Sequence, residues 1–335
     1  MKSRFFRQSR RRFTQVAASV AVALGTLATG AVAHAQSANW PDKPIRVIVN
    51  FPPGGVADVI ARLVSEPVGK ALGQSIVVEN RAGAGGNIGA EAVARAAPDG
   101  YTFLVSSGGV TSINPHLYKT LAYDPNKDLI PVAAMARVVV FLVTRPELPD
   151  NYNAFIAHLK ANPGKLSYPS PGNGSSPHIA GEMFSGAAGI EALHVPYRGA
   201  APAVVDLLAG QVDFFFDPGV ALPHVKEGKL RILAVGSPSR VPLLPDVPTL
   251  DELGLKGFDA DTLFGMYAPA GTDPAIVKRM NDEVNKALEL PAIKERIAAL
   301  GGEAAPMTPQ AFAQRIQVDL ERYGKLIQER KITVQ

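Results

Sequence analysis

Cysteine is absent from all 335 residues, which excludes disulfides, thiolate nucleophiles and cysteine-held metal sites and leaves packing to stabilise the fold. A Gly-x-Ser-x-Gly nucleophile elbow occurs nowhere, so the strand–turn–helix signature of a serine hydrolase is missing. The dinucleotide fingerprint is broken as well. In Gly83-Ala84-Gly85-Gly86-Asn87-Ile88-Gly89, Ile88 stands where Gly-x-Gly-x-x-Gly needs its last glycine, and no acidic residue is clearly placed for a ribose. That loop reads as a helix-capping nest or a loop near a cleft mouth. Past residue 35 there is no charge block, low-complexity tract or internal repeat.

What is present begins with an address label. Lys2, Arg4, Arg7, Arg10, Arg11 and Arg12 form a basic segment, residues 16–33 are rich in Ala, Val, Gly and Thr, and Ala33-His34-Ala35 offers a cleavage site. Residues 1–35 are therefore expected to be a signal peptide for export to the periplasm. Ser9-Arg10-Arg11-Arg12-Phe13 matches a twin-arginine core, but Thr14 and Gln15 depart from it, so the Tat and Sec routes both stay open. A retained anchor is disfavoured, since Gly25, Thr26, Thr29 and Gly30 dilute a stretch already short for a span of about 20 residues.

Removing the signal reverses the charge. The whole chain carries 34 basic and 30 acidic residues, and the first 35 residues hold six of the former and none of the latter. The mature chain is thus at −2, without the basic excess that neutralises phosphates, and nucleic acid is not an expected partner. With 47% apolar residues the chain can fill two cores, because single cores rarely grow past about 250 residues.

From Pro44 onward β-branched runs alternate with glycine-rich turns and helical spacing. Strands are expected at 45–49, 75–79 and 101–106, helices after each of the first two, then a long apolar run at 132–143 broken only by Arg137. The second half reads helix 177–187, strand 192–195, helix 202–209 with Pro202 first, and strands 212–216 and 230–235. A second crossing strand at 262–268 and helices near 273–288 and 309–329 end the chain. This predicts an α/β fold of the periplasmic binding protein type II kind: two α/β domains with mostly parallel central sheets, joined by two crossing hinge segments. Residues 36–137 and 262–335 form one domain, and residues 138–261 the other.

Ligands on such sheets bind at the carboxyl ends of the strands, and the turns there supply the candidates. Pro53, Gly54, Gly55 and Asp58 follow the first strand, where bare backbone N–H groups and a helix start suit an anion; Asp58 is alternatively a helix cap. Ser106 and Ser107 follow the third strand. Ser170, Gly172, Asn173, Gly174 and Ser175 occupy a loop whose other reading is helix capping. Arg198, beside Gly199, is either a bidentate clamp on a carboxylate or a partner of a surface acid. Asp217 either meets a ligand at the cleft or caps the turn at Pro218-Gly219. A hydrolase built on Ser107 or Ser175 with a histidine is the rival. However, Ser175, His178 and Glu182 share one helical stretch and cannot surround a substrate. His178 and Glu182 lack a third metal ligand, and His116, His158, His194 and His224 are scattered; no metal, cofactor or catalytic residue is expected.

The chain resembles the substrate-binding proteins of tripartite tricarboxylate transporters, the Bug family. The likeness rests on Trp40-Pro41-Asp42-Lys43-Pro44-Ile45, Phe51-Pro52-Pro53-Gly54-Gly55 with Asp58, Glu79-Asn80-Arg81, the Gly83 to Gly89 loop and Pro98-Asp99-Gly100-Tyr101-Thr102. It continues through Tyr168, Gly172-Asn173-Gly174-Ser175, Val195-Pro196-Tyr197-Arg198-Gly199, Pro245-Asp246-Val247-Pro248-Thr249 and Ala268-Pro269-Ala270-Gly271-Thr272. The resemblance implies a monomeric Venus-flytrap receptor that binds one small carboxylate, partly through ordered waters. Its partner would be the membrane permease subunits of such a transporter, or a sensor protein. Leu263 falls where members often carry tryptophan, which puts ligand shape in question.

Overall fold

The structure is a computed structural model that describes residues 40–333; the signal reading lies outside them. The run after Pro44 forms β1 (Ile45–Val49), buried except for Arg46. Pro52 and Pro53 have no N–H to extend a ladder, and α1 (Val56–Leu72) begins after Gly55, burying Ile60, Val64 and Val68 at helical spacing. β2 (Ile76–Asn80), α2 (Asn87–Ala94) and β3 (Thr102–Ser107) follow. β1 pairs in parallel with both β2 and β3.

The apolar run at 132–143 is two strands in different sheets: β4 (Leu129–Val138) and β5 (Phe141–Thr144). The second domain then adds α3 (Tyr152–Ala161), β6 (Ser167–Ser170), α4 (Ser176–Ala188), β7 (Leu193–Pro196), α5 (Ala200–Leu208), β8 (Phe214–Asp217) and β9 (Arg231–Val235). α5 begins at Ala200, so Pro202 is its third residue rather than its first. The chain returns through β10 (Thr262–Pro269) and ends with α6 (Pro274–Leu288), α7 (Pro291–Ala298), β11 (Gly302–Ala304) and α8 (Pro309–Arg330). α3, α7 and β11 have no counterpart in the sequence expectations.

The fold class holds, with one correction: the sheets are mixed. The six-stranded sheet runs β11-β4-β10-β3-β1-β2. β10 is antiparallel to β3 and β4, and β11 to β4. In the three-stranded sheet β5 opposes both β8 and β9, while β6 and β7 form a parallel pair. Helical crossovers impose parallel pairing only where they connect neighbouring strands. β4 and β10 instead carry the chain out of one domain and back, so they must run in opposite senses.

Packing shows why the second domain needs two apolar faces. Phe214 and Phe216 join one core cluster and Phe215 joins the other, as the two-residue period of a strand requires. All three are fully buried, each side chain contributing about 1.5–3 kcal/mol.

The crossings themselves are held by charge. Arg137 of β4 pairs with buried Asp261 just before β10 through its Nε at 2.6 Å and through Nη2. Arg322 of α8 donates to Asp259 at 2.6 Å. Beside them Gly236 N–H donates to Val140 and Ala260 N–H to Gly236, both at 2.8 Å. Arg137, the one charge in the apolar run, thus has its partner on the returning segment.

Candidate functional site

The loop after β1 is shaped by a carboxylate. Asp58, 4% exposed, lies in the first turn of α1. Its Oδ2 accepts from Gly54 N–H at 2.9 Å, and its Oδ1 accepts from Arg62 Nε and Asn80 Nδ2, both at 2.9 Å. Burial alone would raise this carboxyl, but the hydrogen bonds from Arg62, Gly54 and Asn80 hold it below the usual carboxylate range. Both oxygens are engaged within the chain, so Asp58 braces the Pro52 to Gly55 turn rather than facing a ligand. The helix cap is Gly55, without a side-chain hydrogen bond.

In the second domain the loop after β6 is bound to itself. Ser170, fully buried, shares its hydroxyl with His194 Nε2 at 2.7 Å and Gly172 O at 3.1 Å, and Ser175 Oγ donates to Gly172 O at 2.7 Å. His178 Nδ1 accepts from Gly174 N–H at 3.2 Å and its ring stacks on His194, centroids 4.1 Å apart. His178 and His194, far apart in sequence, are therefore one buried support beneath the loop. Glu182 is occupied by the Tyr168 hydroxyl at 2.6 Å. Ser175 Oγ is thus engaged by the backbone, and the Ser170–His194 pair does not line the pocket described next.

Between the domains lies a pocket of about 670 Å³, measured out to open solvent. Three helices begin on it: α1 through Val56 and Ala57, α4 through Ser176, and α5 through Ala200 and Ala201. First-turn amides have no acceptor within their own helix, none of the three starts carries a side-chain cap, and each helix start bears partial positive charge. Among the described residues, no Lys, Arg, His, Asp or Glu lines the pocket. Its polar side chains are hydroxyls, among them Ser107 and Thr262, and Thr262 Oγ1 is buried without a hydrogen-bond partner.

Of the predicted contacts, Pro53, Gly55, Ser107, Ser175 and Gly199 line this pocket. Gly54, Ser106 and Gly174 do not; Ser106 turns its hydroxyl to Ser107 O at 2.8 Å. Gly172, Asn173 and Arg198 line an adjoining groove beside the Gly83 to Gly86 loop, which shares Phe51, Pro52 and Pro171 with the pocket, and Arg198 is exposed there. Thr262 and Phe264, which also line the pocket, were missed. The available signal was the two-residue period of the crossing strand, which turns Leu263 away into the core of the first domain.

Asp217 takes the capping alternative. Fully buried, it accepts from Gly219 N–H at 2.8 Å and Ala221 N–H at 2.9 Å through Oδ2, while Oδ1 has no partner. Burial pushes its carboxyl up to about 7 against the pull of those amides. Its stabilising contribution is therefore complete below 3.8 and lost as pH rises through about 7. Burial pushes His178 down to about 4 and His194 to about 3, so their contribution is complete above 6.5 and lost on acidification. The two effects oppose each other between these limits. Asp217→Asn is expected to steepen the loss of stability from about pH 7 to about pH 5, read by urea unfolding; an unchanged slope refutes the assignment.

The two domains touch at glycines. Asn173 O sits where a Cβ on Gly85 would lie, and a Cβ on Gly109 would come 3.0 Å from Gly174 O. Within the second domain Gly199 N–H donates to Pro171 O at 3.2 Å, and across to the first domain a Cβ on Gly199 would come 3.0 Å from Pro52 Cγ.

A family profile described as tripartite tricarboxylate transporter family receptor matches residues 60–332. The chain belongs to this receptor family. Its relatives include protein BugT of Bordetella pertussis strain Tohama I, 40% identical over 308 residues that cover 90% of this chain and 94% of BugT. Among solved structures, an R. palustris protein with adipate superposes with a TM-score of 0.85 at 32% identity, covering 88% of this chain and all of that one. MatC of Rhodopseudomonas palustris with bound malate gives 0.82 at 33% identity, covering 86% of this chain and 100% of MatC. Tripartite tricarboxylate transporter receptors are periplasmic solute-binding proteins, a substrate-binding rather than an enzymatic family. Among the described residues, no group of three or more His, Asp or Glu side chains stands close enough to hold a metal ion.

Proposed function

We propose that this chain is an exported receptor that captures a small organic carboxylate between its two domains and passes it to the membrane subunits of a tripartite tricarboxylate-type transporter. The observation that carries the reading is the convergence of three uncapped helix starts, one from the first domain and two from the second, on a pocket that no charged side chain of the described residues lines. Amides and dipoles solvate an anion there without burying a counter-charge. Because the donors come from both domains, ligand contacts favour the approach of one domain to the other. The crossings at residues 139–140 and 259–261 serve as the hinge, dividing the mature chain into 36–137 with 262–335 and 138–261. Pro53, Gly55, Ser107, Ser175 and Gly199, with Thr262, make the contacts. Adipate and malate on relatives support a carboxylate, and the basic N-terminal segment with its Ala33-His34-Ala35 site supports export.

Scanning fluorimetry across mono-, di- and tricarboxylates is expected to give a saturable rise in Tm for at least one acid, equivalent to about 2.7 kcal/mol at a hundred times Kd. A folded protein indifferent to the whole set sinks the proposal.

A further inference from the structure

The pocket has two unlike sides. One is the set of helix starts. The three are gathered together, since Gly199 N–H bonds Pro171 O and Gly199 abuts Pro52. The other is built by the crossing segments, where Val138, Val140 and Phe264 face the space. Phe51 and Pro177 add further apolar lining to the pocket. The polar groups that the crossing-strand side offers are two neutral hydroxyls, Ser107 and Thr262, on either side of Phe264: Ser107 is its cross-strand partner and Thr262 lies two residues earlier on the same strand.

We infer that the ligand is a monocarboxylate with an apolar body, aromatic or branched aliphatic, rather than a hydroxylated di- or tricarboxylate. The inference rests on the receptor reading above. One carboxylate takes the helix amides, and the body lies against Val138, Val140 and Phe264. A second carboxylate directed at that wall would lose its water and find no cation, which is heavily penalised in an apolar setting. A neutral hydroxyl or ring nitrogen would instead meet the hydroxyl-bearing residues Ser107 and Thr262, with no buried charge to leave unpaired. Apolar area against the wall then supplies affinity, and the amides fix orientation.

Calorimetric titration of the full mature chain with benzoate, 4-methylpentanoate, malate and citrate tests this. Either apolar acid is expected to bind at least about tenfold more tightly than malate or citrate, which corresponds to about 1.4 kcal/mol. Phe264→Ala should weaken the apolar acids at least about fivefold, and Phe264→Leu, which keeps an apolar side chain and protects against a mere folding failure, should recover part of that loss. Tighter binding of malate or citrate overturns the inference and leaves the receptor reading intact. Failure of both apolar acids overturns it whatever else binds, and silence across every anion tested in the wider series overturns the receptor reading too.

Discussion

Gly199→Ala is expected to weaken carboxylate binding about tenfold or more and to lower stability by about 1–3 kcal/mol. Gly199 caps α5 with φ +116° and ψ 169°, a region that only glycine occupies without strain. An added Cβ would also press within 3.0 Å of Pro52, in the turn that leads to α1. Relief requires either the α5 start or the Pro52 turn to move, and each carries amides that line the pocket. Donors aimed at an anion lose their value quickly when misplaced, so affinity falls further than the strain alone dictates. Calorimetric titration against the best carboxylate, with urea unfolding alongside, measures both effects. Affinity within about twofold of the parent would show that α5 does not hold the ligand.

Asp58→Ala should be damaging through a different route. It leaves Arg62, Asn80 and the Gly54 amide without their shared acceptor, at a cost of about 1–3 kcal/mol. It also frees the turn that sets the direction of α1, and a roughly tenfold loss of affinity should accompany the loss of stability. Asp58→Asn should not rescue, because in one orientation its amide nitrogen would face the Arg62 and Asn80 donors and in the other the Gly54 N–H. The pH dependence has a definite sign. The carboxyl is held below 3.8 in the folded protein, so its contribution is present above 3.8 and lost as pH falls through the folded value. Asp58→Ala should therefore lose less stability than the parent on acidification across that interval, as followed by circular dichroism at graded pH. An equal acid response in both proteins would sink the bracing role.

The loops of the site were legible because their chemistry is local. Pro52-Pro53-Gly54-Gly55 ends a strand and frees a helix start wherever it occurs, and Ser175-Ser176-Pro177 announces a helix. Direction was not legible. Asp58, Ser170 and Asp217 sit in the right loops, but Asp58 and Ser170 spend their polar atoms on backbone and side chains nearby, and Asp217 commits Oδ2 to backbone amides while Oδ1 has no partner among the described residues. Arg198 sits next to a pocket residue but lies on the neighbouring groove. A histidine pair 16 residues apart could not be seen as a stack until α4 and β7 were packed together.

Most of the alternation of strands and helices, the glycine turns and the absence of cysteine, of a Gly-x-Ser-x-Gly elbow and of an intact Gly-x-Gly-x-x-Gly motif are read from residues alone, since each depends on neighbours within a few positions. The antiparallel crossing strands, the short edge strand β11, the pairing of Arg137 with Asp261 and the unpartnered hydroxyl of Thr262 came from the tertiary structure. Each of these depends on which segment arrives from far along the chain. Three helix starts meeting on one pocket is a property of that arrangement, not of any one loop.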